Sequence, residues 1–333
     1  MLVLLAYARY TTISMRYLIT YWSFIFIIIS LFAAAFFAVV WSQRGLANKK
    51  SLWYGRTHLA GFLSAAAVLC SILLLYMISE TQQLIVKEVS YKLGLKNEIH
   101  IALISDTQTT LHKQSGYMNK IVDHALEQNP DAVLIAGDLI NNELPLDDEL
   151  PHLEPLRRLA QNVPTYAVLG NHEYGISNPV MPAVHPNVSQ TVYDHVKSLG
   201  VHMLVNDLMI IEKNGKPVLE LYGFDDLWNP VFVEPKLPPK TLSRIVLSHN
   251  PDAIYLIDKD TADVVVSGHT HGGQIRFPWF GASTDVATIL PKKFYKGASV
   301  QNGIPLFITS GLGESGPPVR LFNLPEIVML TIN

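Results

Sequence analysis

Two long uncharged stretches constrain this chain more than any other feature. Tyr17 to Trp41 runs 25 residues without a charge, and Leu59 to Ile78 runs 20. Each is long enough to cross a hydrocarbon core of about 30 Å as a helix. A secretory signal has an apolar region of only about 7–15 residues before a small-residue cleavage site, and neither stretch fits that pattern. Tyr17, Tyr21, Trp22, Trp41, Trp53, Tyr54 and Tyr76 sit at their ends, as aromatic side chains do at membrane interfaces. The pattern predicts an N-terminal flank over 1–16, a transmembrane helical hairpin over 17–78 and a polar, helix-compatible stalk over 79–97. Met15-Arg16 offers an alternative start to Met1, since residues 1–14 add little that a span needs.

The charges around the hairpin point two ways. The loop carries Arg44, Lys49, Lys50 and Arg56, against Arg9, Arg16, Lys87, Lys92 and Lys96 on the flanks. By density the loop is the cytoplasmic side, leaving the large domain outside. The summed count favours the opposite face. Cys70 is the one cysteine and lies inside the second stretch, so no intrachain disulfide can form and cysteine usage does not report the compartment. The formal net charge of −3, with no basic tract, excludes an obvious nucleic-acid surface.

From about Glu98 the texture changes to short apolar runs alternating with amphipathic segments. His100–Ile104, Ala132–Ala136, Thr165–Leu169, Val218–Tyr222, Ile245–Leu247 and Val264–Val266 read as strands. Phe307 with Ile308, and Val328–Ile332, add late ones. Ser115–Gln128 places Tyr117, Met118, Ile121, Val122 and Ala125 at helical spacing. The alternation predicts an α/β sheet domain over 98–333, large enough for one substantial core. Proline-rich stretches at Pro179–Pro186 and Pro230–Pro239 read as excursions that wall a site.

Five polar turns follow five of these strands: Asp106-Thr107-Gln108, Gly137-Asp138, Gly170-Asn171-His172-Glu173, Ser248-His249-Asn250 and Gly268-His269-Thr270-His271-Gly272-Gly273. In open α/β sheets ligands bind beyond the carboxyl ends of strands. Taken singly, several turns are ordinary. Asp106 serves equally as a turn or helix-cap residue, Gly137-Asp138 is a common turn pair, and a lone histidine such as His249 is more often packing than a ligand. Five in this order, each after a strand, are hard to explain as unrelated turns, and together they supply hard and borderline ligands for two metal ions.

This order resembles the calcineurin-like metallophosphoesterase superfamily over about Ile99 to Asn333. Gly268 through Arg276, with Gly311-Leu312-Gly313 and Pro317-Pro318-Val319-Arg320, is similar to its bacterial membrane-associated branch. The resemblance implies a four-layer αββα sandwich with a two-metal centre. Carried over by residue, Asp106 and His271 hold the first metal with Gln108 beside them, Asp138 bridges, and Asn171, His249 and His269 hold the second. His172 is then no ligand but the general acid that protonates the leaving oxygen. Such roles are chemically reasonable, because two cations about 3.5–4 Å apart clamp a phosphoryl group and acidify a water between them.

The family usually has Asp-x-His where this chain has Asp106-Thr107-Gln108. A neutral amide oxygen is harder than imidazole and shifts the expected pair of divalent ions toward Mn²⁺ or Mg²⁺, Mn²⁺ foremost. Asp-x-Gln also resembles members that split nucleotide pyrophosphates. The resemblance therefore implies an inner-membrane phosphohydrolase acting on a lipid-linked substrate such as UDP-2,3-diacylglucosamine of lipid A biosynthesis. Phe277-Pro278-Trp279-Phe280 and Met181-Pro182-Ala183-Val184 are apolar loops that fit an acyl-bearing substrate, although anchoring in the core explains them equally. Arg276 and Arg320 are candidate phosphate contacts. The alternatives are an exported phosphoesterase acting on envelope lipids or phosphomonoesters, and a metal-binding scaffold that has lost catalysis at Gln108. His172 opposes the scaffold, which has no use for a general acid.

Overall fold

The computed structural model describes residues 15–47, 57–180, 183 and 185–333. Arg9, Lys49, Lys50, Arg56, Trp53, Tyr54 and most of the Met181–Val184 loop lie outside the described residues, as do the side chains of Tyr17, Tyr21 and Trp22. The chain divides into two compact units, Met1–Glu80 with Gly316–Val319, and Thr81–Ser315 with Arg320–Asn333.

The first unit contains helices α1 (Met15–Ala47) and α2 (Thr57–Glu80). Among the described residues one segment, Gly61–Glu80, is long and apolar enough to cross a membrane, and Phe26–Trp41 is a shorter apolar stretch within α1. Phe26, Phe36, Phe62, Leu69 and Ile72 are all exposed.

The second unit is built on two six-stranded sheets. The first has the order β1-β14-β2-β3-β4-β5, from Ile85–Tyr91, Glu326–Ile332, Ile99–Ile104, Ala132–Ala136, Thr165–Val168 and His202–Met203. The second has the order β12-β13-β9-β8-β7-β6, from Gly297–Gln301, Ile304–Ile308, Val264–Ser267, Arg244–Leu247, Lys216–Gly223 and Asp207–Lys213. Strands β2, β3 and β4 run parallel, as do β7, β8, β9 and β13. These central strands are buried on both faces, which is why they read as continuous apolar runs without alternation. Ile101, Leu103, Leu134, Val168 and Val328 meet Leu221, Ile245, Leu247, Val264 and Phe307 between the sheets.

Outside the first sheet lie α3 (Ser115–Glu127), α4 (Pro155–Asn162) and α5 (Ser189–Ser198). In α3 the buried residues are Tyr117, Met118, Ile121, Val122 and Ala125, the face that the spacing predicts. The layer outside the second sheet is thinner. It is a 3₁₀ turn at Pro251–Tyr255 with loops carrying Ala282, Leu290 and Tyr295.

The predicted stalk over 79–97 is corrected. Its middle forms β1, an edge strand parallel to β14 with Ile85 opposite Glu326 and Tyr91 opposite Ile332. Ile85, Val86, Val89 and Tyr91 give this stretch strand character, and the sheet supplies the hydrogen-bonding partner that the local polarity concealed. The catalytic unit therefore begins at Thr81.

Far from the site, the fully buried Arg244 at the start of β8 donates to Glu220 Oε2 at 2.8 Å and 2.6 Å, and to the carbonyls of Pro238 and Thr261. Arg244→Met strands Glu220 as a buried, unpaired charge. We expect it to cost about 3–5 kcal/mol, read from urea unfolding of the full chain, with Glu220→Leu in the same background recovering part of the loss.

Candidate metal centre

Each of the five turns leaves the carboxyl end of its strand, and the two sheets bring these ends together. The turns are tight. Asp106, Gln108, Asp138, His269 and His271 all have positive φ, between 40° and 68°. That conformation costs a non-glycine residue of order 1–3 kcal/mol and persists only where its surroundings enforce it. Glycines provide the room. A Cβ on Gly170 would run into the Asp138 carboxylate, and one on Gly268 into Ser105 and Asp106. Backbone bonds join the turns: Asp106 N–H to Gly137 O at 3.0 Å, Gln108 N–H to Asp138 O at 3.0 Å, and Gly313 N–H to Asp106 O.

The predicted residues converge in two groups. Asp106, Asp138 and His271 each point one ligand atom at a common spot, all within 4.8 Å of one another, and all three are buried. In the second group, Asn171 Oδ1 lies 3.0 Å from His249 Nε2 and 2.8 Å from His269 Nδ1. The two imidazole nitrogens are 3.2 Å apart. Asp138 belongs to both groups, with Oδ2 3.2 Å from His249 Nε2. Gln108 places Nε2 3.4 Å from Asp138 Oδ2, and its buried Oε1 has no hydrogen-bond partner. A half-turn of that amide presents the oxygen to a cation.

The ring tautomers fit metal ligation. His249 Nδ1 donates to Ala136 O (2.8 Å), His269 Nε2 to Ala287 O (3.2 Å), and His271 Nδ1 to Gly313 O (3.2 Å). Each ring thereby turns its other nitrogen to the cluster, held as metal-binding histidines are by a carbonyl behind them. Burial pushes His269 down to about 3, helped by His249, and also lowers His271, so both favour the neutral, ligating form. Burial pulls His249 the same way, but Asp138 beside it wins and raises it. A divalent cation there would replace that proton as the partner of Asp138. Two imidazole nitrogens and a carbonyl oxygen pressed together, with an orphaned amide oxygen nearby, are the donor set a pair of divalent ions satisfies.

His172 stands beside the groups. Its N–H donates to Asp138 Oδ1 at 3.0 Å, and its Nδ1 donates to Asn141 O at 2.8 Å. Nε2 faces Asp138 Oδ2 at 3.8 Å, and the side chain keeps 13% exposure, more than His249 or His271.

Of the two candidate phosphate contacts, Arg320 is corrected. Arg320 is fully buried and donates to Glu314 and to the carbonyls of Ser310, Gly311, Gly313 and Asn323. Its guanidinium is used up in holding the 310–314 loop, so it cannot reach a substrate. Arg276 is partly exposed and donates to Gly272 O at 2.6 Å, bracing the turn that carries His271.

Two carboxylates belong to this site that the sequence reading did not single out. Glu173 accepts from Leu139, Ile140 and Gly170 N–H at 2.8, 3.1 and 2.7 Å, tying the Asp138 turn to the Asn171 turn. Burial, with Asp138 nearby, raises it to about 7. Asp226 is fully buried after β7, with Oδ2 unpartnered, and burial raises it to about 7. Trp228, two residues on, sets its ring edge-on to His269 at 4.7 Å. Gly223-Phe224-Asp225-Asp226 carries the same strand-then-carboxylate signal as the Asp106 and Asp138 turns.

Asp138→Ala removes the residue shared by both groups. It is expected to lower Mn²⁺ affinity by about 100-fold or more, measured by calorimetry on the folded variant. Glu173→Ala leaves three buried N–H groups without an acceptor. We expect a loss of about 3 kcal/mol or more in stability together with weaker metal binding, and Glu173→Gln restoring part of both.

A family model described as calcineurin-like phosphoesterase matches residues 99–273. Phosphodiesterase YaeI of Escherichia coli (strain K12) is 31% identical over 207 residues, covering 62% of this chain and 72% of that protein. The uncharacterized metallophosphoesterase Cj0846 of Campylobacter jejuni is 31% identical over 247 residues, covering 72% of this chain and 60% of that protein. The uncharacterized protein YpbG of Bacillus subtilis (strain 168) is 30% identical over 246 residues, covering 72% and 83%. The span matched by the family model takes in every turn of the cluster, and the chain belongs to the calcineurin-like phosphoesterase family.

Proposed function

We propose that this metal-dependent phosphoesterase is anchored in a bilayer and cleaves a phosphodiester or pyrophosphate bond. The substrate class that fits best is a lipid-linked nucleotide such as UDP-2,3-diacylglucosamine. The observation that carries the reading is the position of Asp138, whose carboxylate is shared by two donor groups while His172 faces it from the more open side. Asp106, Gln108 and His271 would hold one divalent ion, Asn171, His249 and His269 the other, with Asp138 reaching both. Bound there, two such ions supply charge for the phosphoryl oxygens and an acidified water. Gln108, a neutral oxygen donor in place of an imidazole, favours Mn²⁺.

The chain's own residues do the rest. Asn141 O holds the His172 Nδ1 proton, which aims Nε2 at the cluster. A protonated Nε2 hands its proton to the oxygen that departs with the leaving group. Asp138 accepts the His172 backbone N–H and so fixes that turn relative to the shared carboxylate. The name of a relative, a phosphodiesterase, supports the bond class. The apolar segment Gly61–Glu80 supports the bilayer.

The test is turnover by the detergent-solubilised full chain with Mn²⁺. UDP-2,3-diacylglucosamine, bis(p-nitrophenyl) phosphate and p-nitrophenyl phosphate would be compared. Release of UMP is expected. Hydrolysis of the monoester alone would refute the bond class, and no turnover of any ester would refute the enzyme's activity. His172→Ala is expected to lose about 10²–10⁴-fold in kcat at unchanged Mn²⁺ content. Full turnover by this variant on an ester with a poor leaving group would remove the role given to His172.

A further inference from the structure

A two-strand hairpin stands next to the candidate metal centre, β10 (Arg276–Phe277) against β11 (Gly281–Ala282). Its tip exposes Trp279 by 89% and Phe280 by 86%, with Phe277 at 44% and Ile289, on the following loop, at 71%. Leaving such side chains in water forgoes roughly 1.5–3 kcal/mol each, so this tip is not explained by the core of the unit. The hairpin is fastened to the site. Thr284 Oγ1 donates to Gly273 O (2.8 Å), Arg276 Nη1 to Gly272 O (2.6 Å) and Ser283 N–H to Ile275 O (2.9 Å). Ala287, two residues before Ile289, accepts from His269. Whatever the tip binds is therefore held beside the metal-binding turn.

Two independent observations indicate what that is. Lys292 and Lys293 follow on a short 3₁₀ turn, Lys293 exposed and Lys292 paired with the exposed Asp285 at 3.0 Å. Tryptophan and phenylalanine beside lysine is the composition of a membrane-interface contact. The second observation is strand polarity. The chain leaves the apolar segment at Glu80 and enters β1 at Ile85, a reach of at most about 18 Å. Ile85 pairs with Glu326, and β14 runs antiparallel to β2, so Ile85 lies at the end of the first sheet where β2 hands over to Asp106. The linkage from the apolar helix thus enters the catalytic unit at its catalytic end.

We propose that the Trp279-Phe280 tip, with Ile289 and the two lysines, docks on an anionic lipid bilayer and presents the metal centre to substrates in that surface. The proposal rests on the reading that residues 61–80 span the membrane, and its test separates the two. The full chain carrying Cys70→Ser and Phe280→Cys is labelled with an environment-sensitive dye. It is reconstituted in phosphatidylethanolamine–phosphatidylglycerol vesicles whose acyl chains bear nitroxide. Val300→Cys in the same background is the control. Val300 is exposed and pairs with Pro305, at the end of the second sheet away from the site.

Emission from position 280 is expected to be quenched roughly twofold, as suits a tip buried in the headgroup–acyl boundary, with position 300 unaffected. Protein that resists alkaline carbonate extraction but shows no quenching at 280 overturns the docking and leaves the span intact. Protein that carbonate releases overturns the span and the docking with it. Equal quenching at both positions, or protection of 280 that grows with protein-to-lipid ratio, also overturns the proposal; the latter indicates a contact between copies.

Discussion

The Asp138 carboxylate is buried beside two imidazoles and an amide, and a charge taken that far from water has to be paired. Its partners come from three other turns: Gln108 after β2, His172 after β4 and His249 after β8. Two belong to one sheet and the third to the other, so satisfying one carboxylate draws both sheets into register at their catalytic ends. The same pairing holds Asp138 well below the usual carboxylate range, His249 and His172 outweighing the effect of burial.

This pairing needs a backbone that accepts strain. Five candidate ligands sit at positive φ, in the irregular stretches that follow their strands. What holds them is a second tier of groups that never face the cluster. Glu173 collects three backbone N–H groups from two turns, and Arg320 collects three carbonyls from the loop that accepts His271 and a fourth from Asn323. The broad apolar layer between the sheets supplies the stability against which such strain is tolerated.

Much of this was legible in the sequence. Strands buried on both faces are continuous apolar runs, so β2, β3, β4, β8 and β9 were found with their turns. Edge strands were harder, because half their residues face water. β1 reads locally as stalk, and β6 and β12 are not among the predicted strands, although Asn214-Gly215 and Asn302-Gly303 mark tight hairpins to β7 and β13 at positive φ. Arg320 shows a different limit. An arginine near a metal motif looks like a phosphate contact until its donors are counted, and those donors are satisfied by carbonyls brought close only on folding. Glu173 stands in a recognised motif, but the bonds that define its work run to the turn after β3, more than thirty residues earlier.

The order of the first sheet also bears on how the unit assembles during synthesis. β14, the last strand made, fills the place between β1 and β2, the first two. Until it emerges, β1 has no neighbour and β2 has an open edge, while every other strand of both sheets is already available. The contacts that close the sheet therefore span nearly the whole unit in sequence, which places this step late and slow. A nascent chain in this state exposes an unpaired strand edge. If the helix ahead of β1 is already seated in a bilayer, one end of that search is fixed in place. The four residues between helix and strand then serve as the leash on an unfinished sheet as well as the anchor of a finished one.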